Sequence, residues 1–533
     1  MTPRLSFHGA ARAVTGSCYR LETEGGALLI DCGLFQGSKT EKALNYRPFP
    51  FRPRDVAAAI LTHAHIDHSG LLPKLVREGF AGPIHATAAT ADLAGVMLPD
   101  SAHIQRSEVE QLNRRRAHRR HAPVSAIYGD ADVRACLAQF RRERYGRWFA
   151  PLPGVRARFW NAGHLLGSAS VEVEIAKAGR DGAALRLLFS GDIGPDHKLL
   201  HPDPEAPGGL DHVICEATYG DRDRAEATPA SRRAALAEEV RAAIRPGGAL
   251  LIPSFAVERA QELVSDLMQL MAEGALPAIP VYVDSPMATR ATRVFARHAE
   301  ELEGGETLIR GLKSANLHFT ETAARSMALD RLHDFHIVIA ASGMCEAGRI
   351  RHRLKNWIWR DEATVLLAGY QAAGTLGRIL LDGAPSVRIQ GEAFDVRARI
   401  RSIDLYSGHA DARGLLDWIA DRRPIAGGLF LTHGEPPAID ALAARLSGVI
   451  EPERVVAPTL DAAFDLTPDA ARAVAGAPAP RIAPEKVARL DWHNDVSRLL
   501  LDINAALGEA ADDRSRAAMI RRLRRALEEA DAG

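Results

Sequence analysis

The feature that most constrains this chain is a recurrence: short apolar runs that stop at an aspartate or a histidine. GALLIDCG (26–33) closes with Asp31, VAAAILTHAH (56–65) with His63 and His65, FSGDIG with Asp192, and GGLFLTHGE (427–435) with His433. His164 stands in the same way in NAGHLLGS. Brief apolar runs bounded by glycine and polar residues read as buried strands, each delivering its last side chain to a sheet edge. The chain must therefore fold so that several strand ends, far apart in sequence, share one polar edge.

The densest of these ends is LTHAHIDHSG (61–70). In extended chain His63, His65 and Asp67 alternate onto one side, and His68 follows at the turn. Neutral imidazoles and a carboxylate are ligands for Zn²⁺ and similar borderline ions. One ion needs only three protein ligands plus water, so the crowding points to two ions roughly 4 Å apart. A histidine-rich surface loop is the bland alternative. The matching residues at the other strand ends count against it.

A chain of 533 residues exceeds what one core supports, so more than one domain is expected. Residues 1–210 read as strand-rich α/β material. From 211 to 385 the rhythm changes to strand, Gly or Ser turn, helix, as in GGALLIPSFAVERAQELVSDLMQL and HIVIAASGMCEAGRIRHRL, which predicts a parallel sheet with flanking helices. The first style returns over 386–466, so the middle domain is inserted into the outer one. An Ala/Pro-rich linker is expected at 467–485 and a helical extension at 486–533.

Acidic and basic residues balance at 67 each, so nucleic-acid affinity must come from local patches rather than a global field. RRRAHRR (114–120) and RRLRR (521–525) are candidate patches, though a solvated helix face is the favoured reading of both, with tail-mediated dimerisation as a further option for the second. The five cysteines, Cys18, Cys32, Cys136, Cys215 and Cys345, form no CxxC pair and argue for a reducing compartment. The sequence shows no secretory signal and no run of the ~18 apolar residues a bilayer span needs, so a cytoplasmic protein without membrane contact is expected.

HAHIDH followed by GH, SGD and THGE resembles the metallo-β-lactamase superfamily. The middle region adds ICEATYG, IPSFAVERAQEL, YVDSPMA, ASGMCEAGR, GYQAAGTLGR and LYSGHAD, and is similar to the β-CASP nucleases, which include the cleavage factor of mRNA 3′-end formation and its bacterial relatives. The likeness covers about residues 1 to 460. It implies an αββα sandwich carrying an inserted α/β domain. It also implies one metal on His63, His65 and His164, a second on Asp67, His68 and His433, and Asp192 bridging them. Asp31 would support the ligand loop, Glu216 would pair with His409, and His409 would act as general acid beside the catalytic Asp67. The implied cofactors are two Zn²⁺, with Mn²⁺ as the substitute. The implied reaction is hydrolysis of single-stranded RNA to 5′-phosphate and 3′-hydroxyl ends, and endonuclease and 5′-to-3′ exonuclease action are not separated by these motifs.

Phosphate contacts are expected from the inserted domain. Ser254, Ser342, Gly343, Gln371, Gly374 and Thr375 lie at strand-to-helix turns, where amides and helix N-termini attract anions, and Arg259 and Arg378 sit just inside helices. Glu258 occupies a place where relatives often carry glycine, and an acid there would weaken the local attraction. His103 and Cys345 fall near family motifs without chemistry that requires them. RNA is favoured over DNA because RNA-cleaving members carry a histidine where this chain has His433. Two further readings stand beside the ribonuclease: a hydrolase of DNA or of a small ester or thioester on the same core, against which the inserted domain argues, and a non-catalytic RNA-binding scaffold, against which the intact ligand set argues.

Overall fold

The computed structural model describes residues 1–118, 122–224, 228–371, 374–475, 480–483, 487, 503, 506–507 and 512–531. An eight-stranded sheet runs, edge to edge, through Ala470–Ala473, Ala463–Thr467, Arg4–Gly9, Cys18–Thr23, Gly26–Ile30, Val56–Ile60, Ile84–Thr87 and Phe140–Glu143. A seven-stranded sheet runs through Val455–Val456, Ile425–Thr432, Leu210–Glu216, Leu185–Phe189, Ala169–Ile175, Val155–Asn161 and Trp148–Leu152. Their inner faces share one core that includes Leu5, Phe7, Leu28, Ile60, Val171, Val173, Leu187 and Phe430. The strand ASVEVEI shows how pattern selects face: Val171, Val173 and Ile175 enter the core, while Glu172 accepts from Arg158 at 2.7 Å and Arg186 at 2.8 Å. Helices Leu72–Arg77, Ala88–His118 and Asp130–Ala138 pack with the outer side of the first sheet, and Ala412–Ala420 and Pro436–Arg445 with that of the second. This is the expected αββα sandwich.

The inserted sheet has six strands in the order Leu317–Phe319, Val281–Val283, His336–Ala340, Ala249–Pro253, Thr364–Ala368 and Arg399–Ile403. Every pairing in it is parallel. Leu250 and Ile252 belong to the core on one face, Ala249 and Leu251 to that on the other, so this central strand is apolar throughout, as a parallel strand covered on both faces must be.

Three expected boundaries need correction. Leu210–Glu216 pairs in parallel with Leu185–Phe189 and Ile425–Thr432, so this strand belongs to the sandwich and the insertion starts after Glu216, not at 211. Arg399–Ile403 pairs in parallel with Thr364–Ala368, which carries the insertion past 385 to Ile403. Leu210–Glu216 is buried almost throughout and has the same apolar run whichever sheet it joins, and Arg399–Ile403 is an edge strand whose single partner the sequence does not name. The linker reading of 467–485 is also revised: Ala463–Thr467 and Ala470–Ala473 form an antiparallel hairpin on the first sheet, while residues 476–479 and 484–485 lie outside the described residues. Of the helical extension the helix Asp513–Asp531, which carries RRLRR, is described, and most of 486–511 is not. The run RRRAHRR begins on Ala88–His118, and Arg119 and Arg120 lie outside the described residues.

Candidate metal centre

Five loops leave the strands of the two sandwich sheets at one edge and converge. His63 follows Val56–Ile60 in extended chain, His65 caps the single helical turn Ile66–Ser69, and Asp67 and His68 lie on that turn. Such loops meet backbone to backbone: a β-carbon on Gly33 would stand 1.6 Å from the Asp67 carbonyl oxygen, so only glycine fits there.

The potential ligand atoms of His63, His65, His164 and Asp192 lie within 4.8 Å of one another, and those of Asp67, His68 and His433 form a second group within the same limit. Asp192 faces both groups. Its Oδ2 is 3.4 Å from His63 Nε2 and 3.6 Å from His164 Nε2, and its Oδ1 is 3.2 Å from His68 Nε2. One carboxylate therefore spans two ligand sets through its two oxygens.

The donor chemistry fits metal ions. Ring nitrogens point at one another, His65 Nδ1 to His164 Nε2 at 3.1 Å and His68 Nε2 to His433 Nε2 at 3.2 Å, where two lone pairs call for a cation or a proton. His63 Nε2 and Asp192 Oδ1 are buried with no hydrogen-bond partner among the described residues. An orphaned pair of this kind is costly unless an ion satisfies it.

Neighbours fix which ring nitrogen faces inward. Asp31 Oδ1 accepts from the Thr62 amide at 2.8 Å, and its Oδ2 accepts from the Thr62 hydroxyl at 2.8 Å and from His68 Nδ1 at 2.7 Å. The Thr62 oxygen in turn accepts from His63 Nδ1 at 3.1 Å. His164 Nδ1 donates to the Gly408 carbonyl at 2.6 Å, and His433 Nδ1 to the Thr218 hydroxyl at 3.1 Å. In His63, His68, His164 and His433 the Nε2 lone pair is thus left for a metal, as outer partners of histidine ligands do generally. Asp31 stands where the resemblance implied. Thr62, Thr218 and the Gly408 carbonyl had been missed, although each adjoins a motif residue.

Burial and the neighbouring His68 push His63 down to about 4, and burial and His63 push His65 down to about 3. Burial and His409 hold His164 well below the ordinary histidine range. These three rings are neutral at pH 7. Burial acts the same way on His68 and His433, but Asp192 and Asp31 raise the first and Asp192 and Asp67 raise the second. Burial opposes ionisation of Asp67 and Asp192, yet the nearby His433 and His68 hold both carboxyls well below the usual range.

Beside this centre, Glu216 ends the strand Leu210–Glu216 and is buried. Both its oxygens stand 3.2 Å from His409 Nδ1, so the pairing expected from sequence is present. Oε1 also accepts from the Ile193 amide at 2.5 Å, next to Asp192. The His409 ring centre is 4.7 Å from that of His164.

The turns expected to hold phosphate do gather at one edge of the inserted sheet, but two of their side chains face inward. Ser254 is buried and its hydroxyl donates to the Phe255 carbonyl at 3.0 Å. Gln371 is buried and donates to the Gly343 and Gly369 carbonyls, both at 3.1 Å, tying one turn to the next. Ser342 is partly exposed with its hydroxyl accepting from Ala347, Gly343 lies under the Phe255 ring, and Gly374 is exposed. Thr375 caps Leu376–Leu381, Arg378 pairs with Asp382 at 2.9 Å, and Arg259 donates to the Tyr406 carbonyl at 3.0 Å. Glu258 is turned away from solvent: its carboxylate meets His201 at 2.7 Å and Lys198 at 3.1 Å. Its charge is neutralised inside the protein, which removes the objection that it repels a polyanion. His103 lies exposed on a helix and Cys345 is buried.

With this geometry in hand, three family descriptions match the chain: the metallo-beta-lactamase superfamily over residues 11–133, the Beta-Casp domain over 260–380, and the Zn-dependent metallo-hydrolase RNA specificity domain over 394–458. The chain belongs to the β-CASP branch of the metallo-β-lactamase superfamily, a family of metallo-hydrolases. Among relatives, ribonuclease TTHA0252 of Thermus thermophilus is 37% identical over 82% of this chain and 95% of its own length. Transcription termination factors FttA of Methanosarcina mazei and Methanocaldococcus jannaschii are each 29% identical, over 83% and 81% of this chain and 68% and 67% of theirs. No helix among the described residues is long and apolar enough to cross a membrane, and all five cysteines are buried and unpaired.

Proposed function

We propose that the chain is a two-metal ribonuclease that hydrolyses phosphodiester bonds of single-stranded RNA, leaving 5′-phosphate and 3′-hydroxyl ends, and that it acts in RNA processing or decay. The observation that carries this reading is Asp192, whose two oxygens face separate ligand sets. The names of the relatives, ribonuclease and transcription termination factor, support an RNA substrate.

In this reading His63, His65 and His164 hold one ion, Asp67, His68 and His433 the other, and Asp192 both, with Zn²⁺ or Mn²⁺ as occupants. Bound ions supply Lewis acidity, which lowers the pKa of water toward neutrality and offsets charge building on phosphate oxygens. The protein's own residues do the rest. Asp67, with 21% of its side chain exposed, accepts a hydrogen bond from the attacking water and aligns it. Glu216 holds Nδ1–H of His409, which fixes the tautomer and stabilises the imidazolium. His409 then gives the proton on Nε2 to the departing 3′ oxygen.

The test is cleavage of 5′-labelled single-stranded RNA, and of DNA of the same sequence, in the presence of Zn²⁺ or Mn²⁺. RNA is expected to be cut, Asp67→Ala to be inactive, and His409→Ala to lose about 10²- to 10⁴-fold, the usual worth of a general acid. Uncut RNA, or variants that cut as well as the parent, would overturn the assignment. Release of mononucleotides marks exonuclease action and internal fragments mark endonuclease action.

A further inference from the structure

A row of aromatic rings and arginines leads away from His409, and the mechanism above makes no use of it. The Tyr219 ring lies 5.7 Å from the His409 ring and 6.2 Å from that of Tyr370. Arg224 covers Tyr219 at 4.1 Å, and Arg222 covers Tyr370 at 4.7 Å. Further along, Arg259 lies 5.0 Å from the centre of Phe255 and fills the space that a side chain on Gly369, the residue before Tyr370, would need.

Two properties set this row apart from ordinary surface packing. First, Phe255 is 42% exposed and belongs to no apolar cluster of the described residues, although it sits directly after the buried strand Ala249–Pro253 and Ser254. Gly343 leaves room beneath it, since a β-carbon there would approach the ring to 3.1 Å. Second, the arginines lack close carboxylate partners. Arg222 is 3.6 Å from Asp221, Arg224 is 3.8 Å from Asp404, and Arg259 has no acid within 4.0 Å among the described residues. Arg445 nearby, by contrast, pairs with Asp223 at 2.8 Å. An exposed phenyl ring, and tyrosine rings that each carry a guanidinium group on one face, suit a ligand that offers flat bases at intervals along a charged backbone.

We propose that Phe255, Tyr370 and Tyr219, with Arg259, Arg222 and Arg224 between them, form a stacking track for the bases of single-stranded RNA. This rests on the nuclease reading for its direction: His409 protonates the 3′ oxygen of the nucleotide on the 5′ side of the cut, so the track takes nucleotides 5′ to the scissile bond. Duplex RNA, whose bases are already stacked, does not fit it.

Binding measured without turnover tests the track separately from catalysis. The full chain, kept in chelator, is titrated into a fluorescein-labelled oligoadenylate and into a ribose-phosphate strand of equal length that lacks bases. Phe255→Ala and Tyr370→Ala are each expected to weaken oligoadenylate binding about tenfold, within the range for loss of one stacked base, and to leave the base-free strand unchanged. Phe255→Trp should restore the parent affinity, which a merely misfolded variant would not do. Equal weakening of both probes, unchanged binding of both, or failure of the parent to prefer the oligoadenylate would each overturn the proposal. A protein that binds with this preference but does not cut RNA would overturn the nuclease reading instead.

Discussion

At the scale of single residues, two buried carboxylates, one at the centre and one on a helix of the inserted domain, predict different consequences. Asp31 touches no other ligand group than His68, yet it holds that ring and the Thr62 amide and hydroxyl together. Asp31→Ala is expected to lower metal affinity roughly 10- to 100-fold, the usual effect of losing such a support, as read by competition with a chelating dye. Unchanged affinity would show that the His68 ring is oriented by packing alone. Glu262 is the second, a buried acid on the helix Arg259–Ala272. Burial pushes it up from 4.5 to about 7, whereas Glu258, four residues earlier, is held at about 2 by His201 and Lys198 against the effect of burial. A folded value above the ordinary one means that Glu262's contribution is full below about 4.5 and is lost as pH rises through about 7. Glu262→Gln should therefore gain stability relative to the parent between those pH values, on the order of 3 kcal/mol. Parallel stability curves for the two proteins would contradict this.

At the scale of elements, the turn into the helix Arg259–Ala272 is the least ordinary piece of backbone near the site. Glu258 sits at φ 75°, ψ −74°, and the Arg259 amide donates to the Val257 carbonyl at 3.1 Å, which defines a strained γ-turn. The strain persists because Glu258 joins three segments: it accepts from the Leu166 amide at 3.3 Å beside His164, and it pairs with Lys198 and His201 beyond Asp192. Lys198 also donates to the His164 carbonyl. Removing Glu258 leaves a buried ammonium unpaired, so Glu258→Ala should cost about 3 kcal/mol or more in denaturant unfolding. Lys198→Ala should cost much less in that background than in the parent, and additive effects would show that the pair is not coupled. The ion pairs were not legible in sequence, where Glu258 stood as an acid that would weaken the local attraction; the glycine that relatives often carry there was the one hint of the positive φ. The residues gathered at the candidate centre were legible for a different reason: Asp31, His63, Asp192 and His433 closely follow apolar strands, and a strand end fixes where the chain emerges.

At the scale of the whole molecule, the candidate acid lies where the chain returns from the inserted domain. His409 falls between the last inserted strand, Arg399–Ile403, and the sandwich helix Ala412–Ala420. Its neighbours are pinned to the centre, Gly408 by His164 and Ala410 by the Ile193 carbonyl at 2.8 Å, while Glu216 accepts from Ile193. The insertion was visible as a change of rhythm, but its true limits, after Glu216 and past Ile403, depended on strand partners and so appeared only in the structure. Because the loops that form the candidate centre leave strands of both sandwich sheets, ions bound there would stabilise the whole sandwich. Saturating Zn²⁺ at about 100 times its Kd should add about 2.7 kcal/mol per site to metal-free protein, seen as a rise in Tm. The most direct test of the two-metal account is to add Zn²⁺ or Mn²⁺ stepwise to metal-free protein while following cleavage of labelled single-stranded RNA. The account predicts that cleavage reaches its full rate only as the second equivalent binds. Full activity at one equivalent, or intact RNA at saturation, would contradict it.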